Sequence, residues 1–130
     1  MGATYGEMAL SGGEIRVVNR SNGFVYGVYI DKGAVTISGA SLLLEARFGH
    51  ATGVSSISAG GSIRIESGSL SLLGDTVKLG ESASKSNAIA LTNPAAFSTS
   101  ISYQSAYSVG DFWSQEPIIG EVNRLQSAST

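Results

Sequence analysis

Residues 27 to 47 read GVYIDKG AVTISGA SLLLEAR, and residues 62 to 82 read SIRIESG SLSLLGD TVKLGES. Both stretches divide into units of seven whose second and fourth residues are apolar. Because successive residues of a strand point to opposite faces, a spacing of two puts both side chains on one face. We therefore predict a short strand in each unit. We call these residues the apolar pairs: Val28, Ile30, Val35, Ile37, Leu42, Leu44, Ile63, Ile65, Leu70, Leu72, Val77 and Leu79.

Small and turn-forming residues separate the units and let the backbone change direction at low cost. They include Gly33, Gly39, Gly68 and Gly74. A coiled coil is excluded, because its apolar positions recur at three and four and its helices do not tolerate a glycine in almost every repeat. Residues 48 to 61 lack clear apolar pairs, so we expect a bulge, a loop or an altered unit there.

One seven-residue unit is too short to close around a core. Either three consecutive units form one coil of about 21 residues in a single-chain β-helix, or three chains wind around one axis as a triangular β-prism. In both cases the apolar pairs point inward and stack. We favour the intertwined homotrimer, an all-β fold whose trimer core consists of the apolar pairs and whose strand edges are paired. A β-sandwich with two-residue turns is a further alternative.

The segments on either side of the repeat differ from it. Residues 1 to 27 contain candidate strands at 4 to 10 and 14 to 18 around a Ser-Gly-Gly turn, which predicts an N-terminal β-hairpin that docks the chain. Residues 28 to 82 form the predicted prism. Residues 83 to 130 are rich in Ser and Ala and contain Pro94 and Pro117, which predicts an extended C-terminal arm that packs on a partner.

Composition narrows the classes of function. The 130 residues are 14% charged, carry a net charge of -2 and show no run of basic residues, so we expect no nucleic-acid partner. No apolar run approaches the ~18 residues of a membrane span, and the N-terminus lacks a basic leader with an apolar core. We therefore expect a soluble chain without a secretion signal or stable membrane insertion.

The sequence SISAGGSIRIESGSLSLLGDTVKLGES, within residues 55 to 82, resembles the β-helical spike and fibre proteins of contractile bacteriophage tails and type VI secretion tips. The likeness extends more weakly back to Gly27. It implies a trimeric β-prism that serves as a tail spike, tail fibre or baseplate component, with other tail proteins as partners. It further implies a structural virion protein, made in the host cytoplasm, that takes part in host attachment or cell-envelope penetration.

The chain departs from the piercing spikes of that family in two respects. They carry an oligosaccharide-binding-type N-terminal domain, for which 27 residues are too few, and many end in a His-x-His pair, whereas this chain has one His. Two other classes stay open. One is a bactofilin-like β-helical polymer, and the other is a phage decoration or polysaccharide-binding protein.

No catalytic residues are predicted, and we expect the protein not to be an enzyme. The sequence has no Cys and no G-x-S-x-G motif, and a single His would have to serve as the only base. Paired carboxylates are the one catalytic pattern that a β-helix of this kind accommodates. The simpler interpretation of the acidic residues is a set of solvated charges: Asp31, Glu45, Glu66, Asp75 and Glu81.

Two sets of residues are candidates for binding. His50 is the only imidazole, and three copies on a threefold axis would be able to hold a metal. The simpler interpretation is a surface histidine, so no metal or other cofactor is predicted. The aromatic residues of the C-terminal segment are candidates for docking on another virion protein, for burial in the trimer or, third, for stacking on sugars: Tyr103, Tyr107, Phe112 and Trp113.

Overall fold

The structure is a computed structural model that describes residues 2–3, 7–20, 23–31, 33–56, 61–83, 89–114 and 119–124. Within these ranges a single short 3-10 helix, Pro94–Ala96, accompanies the strands, and no helix is long and apolar enough to cross a membrane. The strands are β1 (Gly2–Ala3), β2 (Glu7–Leu10), β3 (Glu14–Asn19), β4 (Phe24–Ile30), β5 (Gly33–Ser56), β6 (Gly61–Ser82), β7 (Ile89–Leu91), β8 (Phe97–Gly110), β9 (Phe112–Ser114) and β10 (Ile119–Arg124).

The strands pair in parallel and form a β-solenoid, which confirms the prediction of an all-β repeat fold. Val35 pairs with Met8, 27 positions earlier, and with Ile63, 28 positions later. One coil is therefore about four sevens long, and not the three sevens that the sequence predicted for a single-chain helix. The chain closes on itself after each coil.

Each coil contains three straight runs, which are clearest in β5. Register shifts after Ile37 and after Ala46 divide its pairing with β6 into a first run at 34–37, a second run at 40–46 and a third run at 50–56. The irregularity expected within residues 48 to 61 corresponds in part to the shift between Ala46 and His50. The coil exceeds 21 residues because the third run and the connection behind it take up two further sevens.

The core lies inside this single coil stack. All twelve residues of the apolar pairs are buried, with at most 3% of each exposed. Those of the first and second runs stack on one another in register, as Leu44 does between Val17 and Leu72, whereas in the third run Val28 pairs with Val54 and Val77 with Ala51. Because one chain buries all of them, the core closes without the intertwined trimer that the sequence predicted.

The N-terminal strands are part of the solenoid. Strands β2 and β3 both pair in parallel with β5, whereas a hairpin would pair them with each other in antiparallel fashion. The apolar side chains of Leu10, Ile15 and Val17 pack against the core. Residues 7 to 19 thus form the first coil and not the predicted hairpin, because their apolar face is buried only when it lies over β5.

The C-terminal segment also differs from its prediction over the residues described. Strands β7 and β8 pair in parallel with β6, and Ile89, Phe97 and Ile101 are buried. This part of the predicted arm is a further coil. The seven-residue period fades here because the offset between coils grows to 29 at Leu70 and Thr99 and to 30 at Thr76 and Ala106. Pro117 lies outside the described residues.

Candidate binding surface

His50 lies on the outer face of the third run, with its side chain exposed. Its ring meets the ring of Phe24 edge-on, with 4.7 Å between the centroids. Its backbone N–H donates a hydrogen bond to the carbonyl of Gly23 at 3.1 Å. In the described part of the chain no group of three or more His, Cys, Asp or Glu side chains is placed to hold a metal. His50 therefore belongs, in this chain, to an aromatic surface.

Glu45, Glu66 and Asp75 each have a local partner. Glu45 lies 3.6 Å from the guanidinium of Arg47. Glu66 accepts a 2.6 Å hydrogen bond from Ser38 Oγ of the preceding coil, and Asp75 accepts one of 2.7 Å from Ser105 Oγ of the next.

Glu66 and Asp75 thus form hydrogen bonds between neighbouring coils, whereas the contact of Glu45 stays within its own strand. All three side chains are partly exposed. Asp31 is partly exposed, and no partner for it emerges in the described residues.

The aromatic residues of the C-terminal segment do not form one docking patch. Phe112 is only 6% exposed and stacks on Phe97 at 6.1 Å, so it belongs to the core of its own chain. Tyr103 and Tyr107 stack on each other at 5.9 Å and are half-buried against that core. Trp113 lies in β9, and its side chain is outside the described residues. Of the four docking candidates, Phe112 is removed by burial.

A groove on the outer face of the second run was not predicted from the sequence. Its two adjoining cavities, of about 650 and 320 Å³, share Val18, Arg20 and Glu45. Strand pairing aligns Val18 with Glu45 and Glu45 with Leu73 across three successive coils. We call this the arginine groove, and it is lined by Arg16, Val18, Arg20, Leu43, Leu44, Glu45, Ser71, Leu73, Asn19, Arg47 and Phe48.

Positive charge is concentrated in the arginine groove. Three of the eight basic residues of the chain line it, although the sequence shows no basic run. Arg47 is paired with Glu45, whereas Arg16 and Arg20 have no ion-pair partner among the described residues. Glu45 is the only acidic side chain among those that line it within the described residues. The groove is therefore a cationic site on a chain with a net charge of -2.

A row of aromatic side chains occupies the outer face of the third run, beside the groove. Phe24 and Tyr26 lie 6.5 Å apart, and Tyr26 and Tyr29 meet edge-on at 5.1 Å. Phe24 is 61% exposed. Phe48, which lies between the second and third runs and lines the groove, is 62% exposed. We call Phe24, Tyr26, Tyr29 and His50 the aromatic row. Exposed rings grouped in this way are typical of an interaction surface.

Polar groups lie beside the aromatic row. Glu81 accepts a hydrogen bond from Ser55 Oγ at 3.1 Å and lies 3.6 Å from Lys78 Nζ. Burial raises the pKa of the Tyr26 phenol, and the negative charge of Glu81 and the neighbouring Tyr29 raise it further. The Tyr26 hydroxyl therefore stays protonated and available as a hydrogen-bond donor well into the alkaline range.

The residues of this surface can be recognised in the sequence only when the length of one coil is known. Asn19 pairs with Ala46, so Arg20 and Arg47, the next residue of each strand, are 27 positions apart and lie on neighbouring coils. Phe24 pairs with His50 in the same way, 26 positions apart. A period of seven predicts the inward residues but does not show which outward residues become neighbours.

In comparisons with known proteins, no protein-family model, no curated protein and no solved structure matches this chain.

Proposed function

We propose that this protein is a non-enzymatic structural protein, a spike or fibre component of a bacteriophage tail or baseplate that takes part in host attachment. The observation that supports a structural role is the continuous buried interior of one chain, in which the apolar pairs of the first and second runs stack in register. Backbone ladders and stacked side chains along one axis make a stiff body, as in other repeat architectures. The tail assignment itself rests on the resemblance of residues 55 to 82.

The height of the solenoid favours a role within a larger assembly. Five of the described strands, β3, β5, β6, β8 and β10, lie one above another in the second run, and the four spacings of about 4.8 Å between them make a stack only about 20 Å tall. Such a stack is too short to act alone as a shaft. In this proposal, three closed chains associate as a homotrimer and join other tail components above or below.

A second candidate function, a filament built by end-to-end stacking, is favoured by the ends of the solenoid. Strand β10 pairs with β8 alone among the described strands, so its other edge faces outward. Val122 continues the interior column of Val17, Leu44, Leu72 and Ile101, yet it is 47% exposed. An open edge beside an exposed core residue is a template for another copy of the chain.

Two measurements separate these functions. Light scattering of the purified chain should give three times 13.3 kDa for the homotrimer, whereas a ladder of larger species supports the filament. Antibodies raised against the protein should label phage tails in electron micrographs of lysates from the source bacterium. Label on intracellular filaments, with none on particles, would reject the tail role.

A further inference from the structure

The arginine groove and the aromatic row meet at one corner of the solenoid. Phe48 lines the groove next to Arg47, and His50, two residues further on, lies against Phe24 of the aromatic row. A ligand that follows the surface across this corner therefore meets guanidinium groups first and exposed rings next. This arrangement of charged and aromatic groups restricts the class of ligand that fits the surface.

The groove selects an anion. Arg16 and Arg20 carry full positive charge and have no ion-pair partner among the described residues. A guanidinium group presents its N–H donors as a planar fork that matches the two oxygens of a carboxylate. The apolar side chains of Val18, Leu43 and Leu73 form part of the lining beside these guanidinium groups.

The aromatic row selects a ring with an apolar face. The faces of Phe and Tyr rings are electron-rich and attract the polarised C–H groups on one side of a pyranose ring. Beside them, the Glu81 carboxylate, held by Ser55, offers oxygen atoms to sugar hydroxyls, and the Tyr26 hydroxyl offers a donor. The surface therefore combines the contacts that a sugar chain needs.

Nucleic acid fits this surface less well, although it also carries anions and flat rings. Glu45 in the groove and Glu81 beside the row would face a backbone with a charge on every nucleotide. Only three cations are present to offset them in the groove. The hydroxyl groups of a polysaccharide are able to donate hydrogen bonds to these acidic side chains, whereas phosphate groups have no donor to offer them.

We propose that the arginine groove and the aromatic row together bind an acidic polysaccharide, a polymer that contains uronic acids. Arg16 and Arg20 hold a carboxylate, and the ring of Phe24 stacks on a neighbouring sugar. This site is additional to the structural role and does not depend on the tail assignment.

The test is calorimetric titration of the full chain with polygalacturonate and with its methyl ester, which has the same sugars without the charge. Wild type should bind the acid form about tenfold or more tightly than the ester. The Arg16→Gln/Arg20→Gln variant should lose about tenfold or more in affinity, the loss expected for charge-assisted hydrogen bonds. Arg64→Gln is the matched control, because Arg64 is exposed and pairs with Glu66 on the first run, so its affinity should stay within about twofold.

A second variant tests the aromatic row. Phe24→Ala should lower the affinity for polygalacturonate about fivefold and leave its salt dependence unchanged, because no charge is removed. Circular dichroism and thermal melting should show that every variant is folded. The proposal is overturned if wild type binds neither polygalacturonate nor alginate, if it binds poly-dT more tightly than either, or if Arg64→Gln weakens binding as much as the double variant.

Discussion

The side chain of Leu70, on the second run, reaches across the interior of the solenoid and packs against Gly53 on the third run. A Cβ atom added at Gly53 would lie 2.7 Å from Leu70 Cδ2 and 2.6 Å from the carbonyl oxygen of Leu79. The third run therefore approaches the second run so closely that only glycine fits at position 53. The interior is filled at this level without a second chain.

Leu70→Ala should lower the free energy of unfolding by about 2 to 5 kcal/mol, because Leu70 is buried and a cavity would remain. Leu43→Ala is the control, since Leu43 is only partly buried on the outer face of the same run. Urea denaturation followed by circular dichroism measures both. Equal losses would contradict the assignment of inward and outward residues.

Gly68→Ala should be more destabilising than Gly39→Ala, although both glycines follow the first run on successive coils. Both have positive φ, +127° and +86°, which costs an alanine roughly 1 kcal/mol or more. At Gly68 the new Cβ would also collide with the carbonyl oxygen of Ala40, whereas at Gly39 it would meet no atom within 4 Å. Thermal melting of the two variants should separate these effects. A lower melting temperature for the Gly39 variant would count against the close approach.

Phe112→Ala should lower the free energy of unfolding by about 3 kcal/mol, because Phe112 is buried and stacks on Phe97. An extended arm that packs only on a partner predicts little effect on the isolated chain. Phe48→Ala, at an exposed phenylalanine, should stay within about 0.5 kcal/mol of wild type. Chemical denaturation of the purified chain decides between the coil and the arm, since an unchanged midpoint for the Phe112 variant would favour the arm.

The Tyr26 phenol should ionise above the ordinary value of 10.0, because burial, Glu81 and Tyr29 raise its pKa. A raised pKa in the folded state means that folding favours the protonated phenol. The associated stability is therefore complete below pH 10 and is lost as the pH rises through the raised pKa. Absorbance at the tyrosinate band, as a difference between wild type and Tyr26→Phe, isolates this group.

Glu81→Gln should move that ionisation part of the way back, because Glu81 is the second cause after burial. Glu66→Gln, which changes a carboxylate on another run, should leave it in place. Ionisation of Tyr26 at or below its ordinary pKa in wild type would show that the aromatic row is not packed as described.

The inward residues were predictable because they depend on local geometry. Alternation along a strand puts Val35 with Ile37, and Leu70 with Leu72, on one face whatever the rest of the chain does. The same alternation holds at Ile89 and Leu91, but between residues 89 and 112 the unequal offsets between coils interrupt the seven-residue period and left Phe112 looking isolated.

The amino-acid order alone predicted strand-and-corner units, the apolar pairs and the places where the backbone turns, whereas the parallel pairing was seen only in the structure. The length of the coil came from the fold, because closure depends on how three runs and their corners fit around the shared interior. That length of about 28 residues brings Arg20 beside Arg47 and Phe24 beside His50. The candidate binding surface thus arises from contacts between coils, which a seven-residue period along one strand does not encode.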